Sequence, residues 1–404
     1  MVLPDGYCLE PLQCPVVNDS PRICYAGTYE RDYPRNRIVI DALRGAGARV
    51  EEVHAPVLEL WRDKSALRRL GLLMLPIRML AAYLWLIPQV ISHLRASDAL
   101  MVGYVGQADM LVLAPLARLF RRPVIFNPLV TLTDTIVEDR RRFTPGTLPA
   151  RLIRRVDRLA LRLATVVLAD TDENAAYMTT KFGVPAGRIV VVPVGANETV
   201  FFPGAAERKQ QGPLDVLFVG KFIPLHGVET VIQAAALLEQ RGVNARVEMV
   251  GTGQTYRAAR DLAVTLGVRN IAWTDWIPFE HLGARLRAAD VVLGVFDSGA
   301  KAARVVPNKV YQSTACGVAT ITRRCAAVER YLRDGEDAVL IPPDDPDSLA
   351  DAIARLQDPD ERARIAAGGR SAFASRASFE AISASLWPVV ELARARGRAC
   401  LDRV

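Results

Sequence analysis

The chain has 404 residues and a mass of 44.3 kDa, and half of its residues are apolar; that is too long for one ordinary core and predicts two domains. A net charge of +7, carried by 45 Arg and 6 Lys, reads as a solvated basic surface, with attraction to phosphates or an anionic membrane as the alternative. Six cysteines without a C-x-x-C pair and four scattered histidines argue against a disulfide scaffold and a structural metal, and predict a reducing, cytoplasmic setting.

Residues 1–21 lack the basic and continuously apolar regions of a signal peptide and are expected to form a flexible tail. Short apolar runs then alternate with helix-length amphipathic runs. Strands are predicted at 22–27, 48–55, 98–104, 123–129, 165–170 and 188–195, with a helix over 35–47 and further helical stretches between them. Residues 70–94 are strongly apolar, but Arg78, Pro76 and Pro88 interrupt the roughly 18 apolar residues that a membrane span requires. A half-buried helix is one expectation for this stretch. The other is a helix lying on the inner face of a membrane, helped by Arg62, Lys64, Arg68 and Arg69. The charged stretch 128–143 reads as a segment on the cleft side of the first domain, with Asp134, Asp139 and Arg140 as candidate acceptor contacts and a solvated charged loop as the alternative. The arginines of 151–164 recur at helical spacing and read as a wet face.

A Pro- and Gly-containing linker over 196–215 leads into a second series of strands at 216–222, 245–251, 271–276, 290–296, 318–322 and 338–343. The fold class predicted is α/β, with two doubly wound Rossmann-like domains facing across a cleft. Their bounds are 22–200 and 201–378, and a terminal helix over 379–404 crosses back onto the first domain.

Three turns in the second half carry chemistry. "VGKFIPLHG" (219–227) leaves a strand and enters a helix: Gly220 turns the backbone, Lys221 puts a cation at the strand exit, and His226 stands at the helix entry, where free amides favour an anion. "VGTGQ" (250–254) repeats the design through Gly251 and Gly253, without the third glycine of a dinucleotide fingerprint. In "VVPNKVYQSTACG" (305–317), Pro307 sets a turn, Asn308 is read as the N-cap, and Lys309 falls in the first helical turn, where the dipole alone would prefer an acid. A bound diphosphate would make that cation useful. Gln312, one turn on, can bond a hydroxyl-rich ligand.

These motifs, with "GTYE" (27–30), "LADTDENAAYMTTKFGVPAGRIVVVPVGANETVFFP" (168–203) and "DGEDAVLIPPDDPDSLADAI" (334–353), follow one another in an order that resembles the retaining glycosyltransferases of family 4, from about residue 22 to 392. The resemblance implies the GT-B fold and transfer of a sugar from a nucleoside diphosphate sugar to a hydroxyl, without a metal or other cofactor. It gives Lys221 and Lys309 the charge-stabilising roles. Gly27, Thr28, Gly220 and His226 would lie at the diphosphate, Gly251 and Gly253 near the nucleotide, Trp276 and Ile277 at the base, Val306, Pro307 and Asn308 facing the sugar and phosphate, and Gln312 at the ribose. Two positions depart from the family: Arg304 and Gln312 stand where a glutamate pair is usual. Asn127 occupies the neighbourhood of a familiar first-domain histidine and joins the acceptor candidates. A sugar-nucleotide epimerase of the same fold and a non-catalytic nucleotide-sugar-binding subunit are the alternatives. No nucleic-acid partner is expected, and a membrane-proximal or lipid-linked acceptor is.

Overall fold

The computed structural model describes residues 20–31, 33–57, 69–140, 142–204 and 212–401. Nearly all of the tail expected over 1–21, the cations Arg62, Lys64 and Arg68, and part of the linker lie outside the described residues.

The first half runs β1 (Arg22–Gly27), α1 (Pro34–Gly45), β2 (Arg49–His54), α2 (Arg69–Ala96), β3 (Ala99–Val102) and α3 (Gln107–Leu119). It continues through β4 (Val124–Leu129), α4 (Leu148–Leu163), β5 (Val166–Ala169), α5 (Asp172–Phe182) and β6 (Ile189–Val191). These strands form one parallel sheet in the order β2-β1-β3-β4-β5-β6. The short apolar runs become strands because both sheet faces are covered, and successive side chains serve opposite faces. Cys24, Ala26, Leu100, Val102 and Phe126 meet α2, α3 and α4 on one face. Ile23, Tyr25, Met101 and Ile125 meet α1 on the other.

The second half runs β7 (Leu214–Val219), α6 (Val228–Gln240), β8 (Ala245–Val250), α7 (Tyr256–Thr265), β9 (Ile271–Thr274) and α8 (Phe279–Ala288). It continues through β10 (Val291–Leu293), α9 (Asn308–Cys316), β11 (Ala319–Arg323), α10 (Ala326–Tyr331) and β12 (Val339–Ile341), then α11 (Pro346–Arg355) and α12 (Pro359–Arg376). The second parallel sheet has the order β12-β11-β10-β7-β8-β9. Helix starts follow local chemistry. Asp345 and Asp358 cap α11 and α12 through their carboxylates, each followed by a proline at the first helical position.

Three local expectations change. The terminal helix is two, α13 (Phe379–Ser385) and α14 (Trp387–Leu401), and Ile382, Leu386, Val389 and Val390 complete the α1 side of the first core. Pro76 and Pro88 do not interrupt α2, a continuous helix of 28 residues; both prolines are exposed, so water can meet the carbonyls they leave unpaired. The charged stretch 128–143, for which a solvated loop is one reading, contains a π-helix over Thr133–Asp139.

Candidate active site

The order of the second sheet reverses between β7 and β10. In open parallel sheets, ligands sit in the crevice outside the carboxyl ends of the strands at such a reversal. Gly220 and Lys221 leave β7 at this point, and residues 294–307 lead from β10 to α9.

Lys309 lies in the first turn of α9, only 6% exposed. Its Nζ stands 3.7 Å from the centroid of the Phe218 ring and has no hydrogen-bond partner. His226 Nδ1 is buried and unpartnered as well. The two converge on Gly220, where an added Cβ would lie 2.7 Å from His226 Cε1 and 2.9 Å from Lys309 Nζ. Burial drives Lys309 well below the ordinary lysine range. Burial first, and then the Lys309 charge, drives His226 well below the usual imidazole value. Two desolvated bases with no acid between them form a place where an anion would be stabilised strongly. The N-terminus of α9 adds to it. Pro307 is its N-cap and Asn308 its first residue, contrary to the cap role read for Asn308, and no side chain closes its amides.

The other second-half candidates surround this point at neighbouring strand exits. Gly251 and Gly253 follow β8 with φ of +129° and +155°. A Cβ on Gly251 would stand 2.0 Å from Gly220 O, and one on Gly253 would stand 2.6 Å from Phe222 O. Only glycine lets these two loops lie against each other. Lys221 and Trp276 are exposed, Ile277 and Gln312 are half-buried, and Val306 and Pro307 are buried.

Two family models match the chain: "Glycosyl transferase 4-like domain" over residues 26–195 and "Glycosyl transferases group 1" over 213–358. The chain belongs to the family-4 glycosyltransferases. Among relatives of this family, D-inositol 3-phosphate glycosyltransferase of Acidothermus cellulolyticus is 32% identical over 218 residues, which is 50% of this chain and 48% of that protein. The protein of the same description from Thermobispora bispora is 29% identical over 277 residues, 64% of each chain. The chain thus spans about half the length of several curated relatives it matches. Sucrose-phosphate synthase of Thermosynechococcus elongatus shares the fold with a TM-score of 0.70 at 18% identity, over 93% of this chain and 99% of that one. Anabaena Alr3699/HepE, solved in complex with UDP, does so with a TM-score of 0.67 at 15% identity, over 92% and 99%. The expected GT-B architecture is therefore the observed one.

On the first-domain side of this family-4 chain, several candidates are engaged with protein groups. Thr28 donates its amide to Asp109 Oδ2 at 2.8 Å and its hydroxyl to Asp109 Oδ1 at 3.1 Å. Tyr83 of α2 donates to the same carboxylate at 2.9 Å. Gly27 has φ of +142°, and a Cβ there would stand 2.5 Å from Asp109 Oδ2. Asn127 is buried; it accepts from Arg35 Nε at 2.9 Å. Arg304, a donor candidate in the sequence, is engaged with first-domain groups. Its guanidinium pairs with Asp134, lies 4.0 Å from Glu138, and stacks 4.1 Å from the Tyr177 ring centroid. Lys301 joins it, 3.3 Å from Asp139 and 3.5 Å from Asp134. The Arg304 carbonyl accepts from the Thr171 hydroxyl at 2.6 Å. A donor candidate and an acceptor candidate thus hold each other across the two domains. Arg140 is exposed.

Sequence reasoning missed Arg35, Asp109 and Lys301. Arg35 is fully buried and donates to the carbonyls of Val192 and Pro193 at 2.6 and 2.9 Å. These contacts lie 157 and 158 residues away along the chain, where no local pattern signals them.

Proposed function

We propose that this protein transfers a sugar from a nucleoside diphosphate sugar to an acceptor hydroxyl, with retention at the anomeric carbon. The observation that carries the reading is the buried Lys309 amine, without a hydrogen-bond partner, beside His226 at the reversal of the second sheet. Family membership supports the reaction class, and the UDP and UDP-glucose named with the structures of Anabaena Alr3699/HepE support a nucleotide-sugar donor. In this reading the diphosphate lies over Gly220 between Lys309, His226 and the open amides of α9. Lys221 at the rim approaches it from solvent, and exposed Trp276 offers a face for the base.

The acceptor oxygen attacks the anomeric carbon on the side the diphosphate leaves. The bond to the diphosphate oxygen breaks, and that oxygen takes the acceptor proton. The two lysines and the helix amides stabilise charge as it grows on the leaving group, which is where preorganised donors contribute most. Cytoplasmic nucleotide sugars would be the donor supply.

The test is donor turnover with a panel of nucleotide sugars and a pool of hydroxyl acceptors, read as released nucleoside diphosphate and as glycoside configured like the donor. Inverted product would contradict retention. Donor epimerised without acceptor would replace the transferase reading with an isomerase.

A further inference from the structure

Helices α2, α3 and α4 lie side by side on one face of the first sheet, packed into one core. The inner side of α2 is settled: Leu86, Val90 and Leu94 are buried. Its outer side is not. Ile77, Leu80, Leu84 and Trp85 are 61, 62, 70 and 51% exposed and recur at helical spacing. A contiguous apolar stripe of this kind on a soluble surface marks an interaction site.

The same layer supplies charge. Arg151, Arg154, Arg155 and Arg162 of α4 are exposed, and none of them has a carboxylate partner among the described residues. Leu148 and Leu152 are exposed on that helix too, at 79 and 60%. Across residues 20–200 the sequence carries 25 Lys and Arg against 17 Asp and Glu, so the basic excess belongs chiefly to this domain.

We infer that the α2–α4 face seats on an anionic bilayer surface. Exposed apolar side chains beside unneutralised arginines match the acyl boundary and the headgroups respectively. Met74–Ala96 is long and apolar enough to cross a membrane, but Leu86, Val90 and Leu94 are built into the domain core, so the helix lies along the surface. An apolar groove of about 440 Å³ between α2 and residues 54–57 opens beside the stripe. Its rim residue Ala55 donates to Gly27 O at 3.1 Å, which joins the seated face to the first-domain side of the cleft. If the transferase reading holds, the acceptor is then a hydroxyl carried on the membrane; the docking itself does not depend on that reading.

The test is co-sedimentation of the full chain, without nucleotide, with vesicles of phosphatidylcholine alone and with added phosphatidylglycerol. Binding to the anionic vesicles is expected, weakening as salt screens the arginines. Leu80→Glu/Leu84→Glu should weaken partition at least tenfold. Arg151→Glu/Arg155→Glu should lose the preference for anionic lipid. Both variants should keep the wild-type thermal unfolding profile, since neither pair is buried. Protein left in the supernatant with both vesicle types at low salt overturns the inference. So does a dimer in sedimentation velocity that Leu84→Glu dissociates, because a second copy would then cover the stripe. Because no donor is present, a negative result here leaves the turnover assay to judge the transferase reading separately.

Discussion

Lys309 is held in the folded chain as a buried base without a partner, a liability unless a ligand relieves it. Its folded pKa lies below the ordinary value of 10.5, so between the two values the unfolded chain binds the extra proton and wild-type stability rises with pH. Lys309→Met should therefore stabilise the unliganded protein, by more at pH 7 than at pH 9.5, as read from urea midpoints at each pH. Asp109 has the opposite slope. Burial pushes it from 3.8 up to about 6; the folded chain keeps a proton that the unfolded chain releases from about pH 4 upward, and stability falls as pH rises through about 6. Asp109→Asn should gain on wild type by about 2–3 kcal/mol between pH 4 and pH 7 at 1.36 kcal/mol per pKa unit. Parallel urea curves with a constant offset across that range would show that Asp109 titrates normally. Gln312 separates by chemistry. An amide can donate and accept, a carboxylate only accepts; Gln312→Leu should weaken donor binding, and Gln312→Glu should retain turnover. Wild-type constants for Gln312→Leu would mean that it only fills space.

Ion pairs join the π-helix Thr133–Asp139 of the first domain to the 294–307 connection of the second. Arg304→Ala leaves Asp134 buried, 3% exposed, with Lys301 as its remaining cation among the described residues, and removing one partner of a buried pair costs about 3–5 kcal/mol. Asp134→Asn/Arg304→Ala together should recover part of that loss. Additive effects in the double-mutant cycle would show that the two side chains are not coupled. This element was illegible in the sequence for a physical reason. "TDTIVEDRRRF" (133–143) is charged throughout and reads as a solvated loop, because the cations that neutralise its acids lie more than 160 residues away. The strands were legible for the converse reason. Parallel strands covered on both faces must be apolar on both faces, so each leaves a short run bounded by polar turns. The turns through Gly220, Gly251 and Gly253 were legible as well, since glycines at strand exits mark close backbone approach wherever they occur. Arg35 was not, because its burial depends on carbonyls brought in by β6 and its exit.

At the scale of the whole molecule, the chain returns to its first domain after completing the second. Ile382 of α13, Leu386 between the helices, and Val389 and Val390 of α14 are almost fully buried against α1, each contributing about 1.5–3 kcal/mol of burial. Truncation after residue 378 should therefore unfold the first domain at a lower temperature than the second, splitting one calorimetric transition into two. A single unchanged transition would show that the terminal helices contribute little. The central claim is that a nucleotide sugar binds where Lys309 waits unpartnered. A nucleotide sugar's diphosphate is a diester with no proton to exchange near neutrality, so an anion that raises the Lys309 and His226 pKa values draws protons from the buffer. The decisive measurement is calorimetric titration of the tightest-binding nucleotide sugar of a panel into wild type and Lys309→Met, in two buffers of different ionisation enthalpy. The account expects proton uptake in wild type and at least tenfold weaker binding in Lys309→Met, the scale of a lost charged hydrogen bond of about 1.5–3 kcal/mol. Equal affinities for the two proteins, with heats that do not change with the buffer, would contradict it.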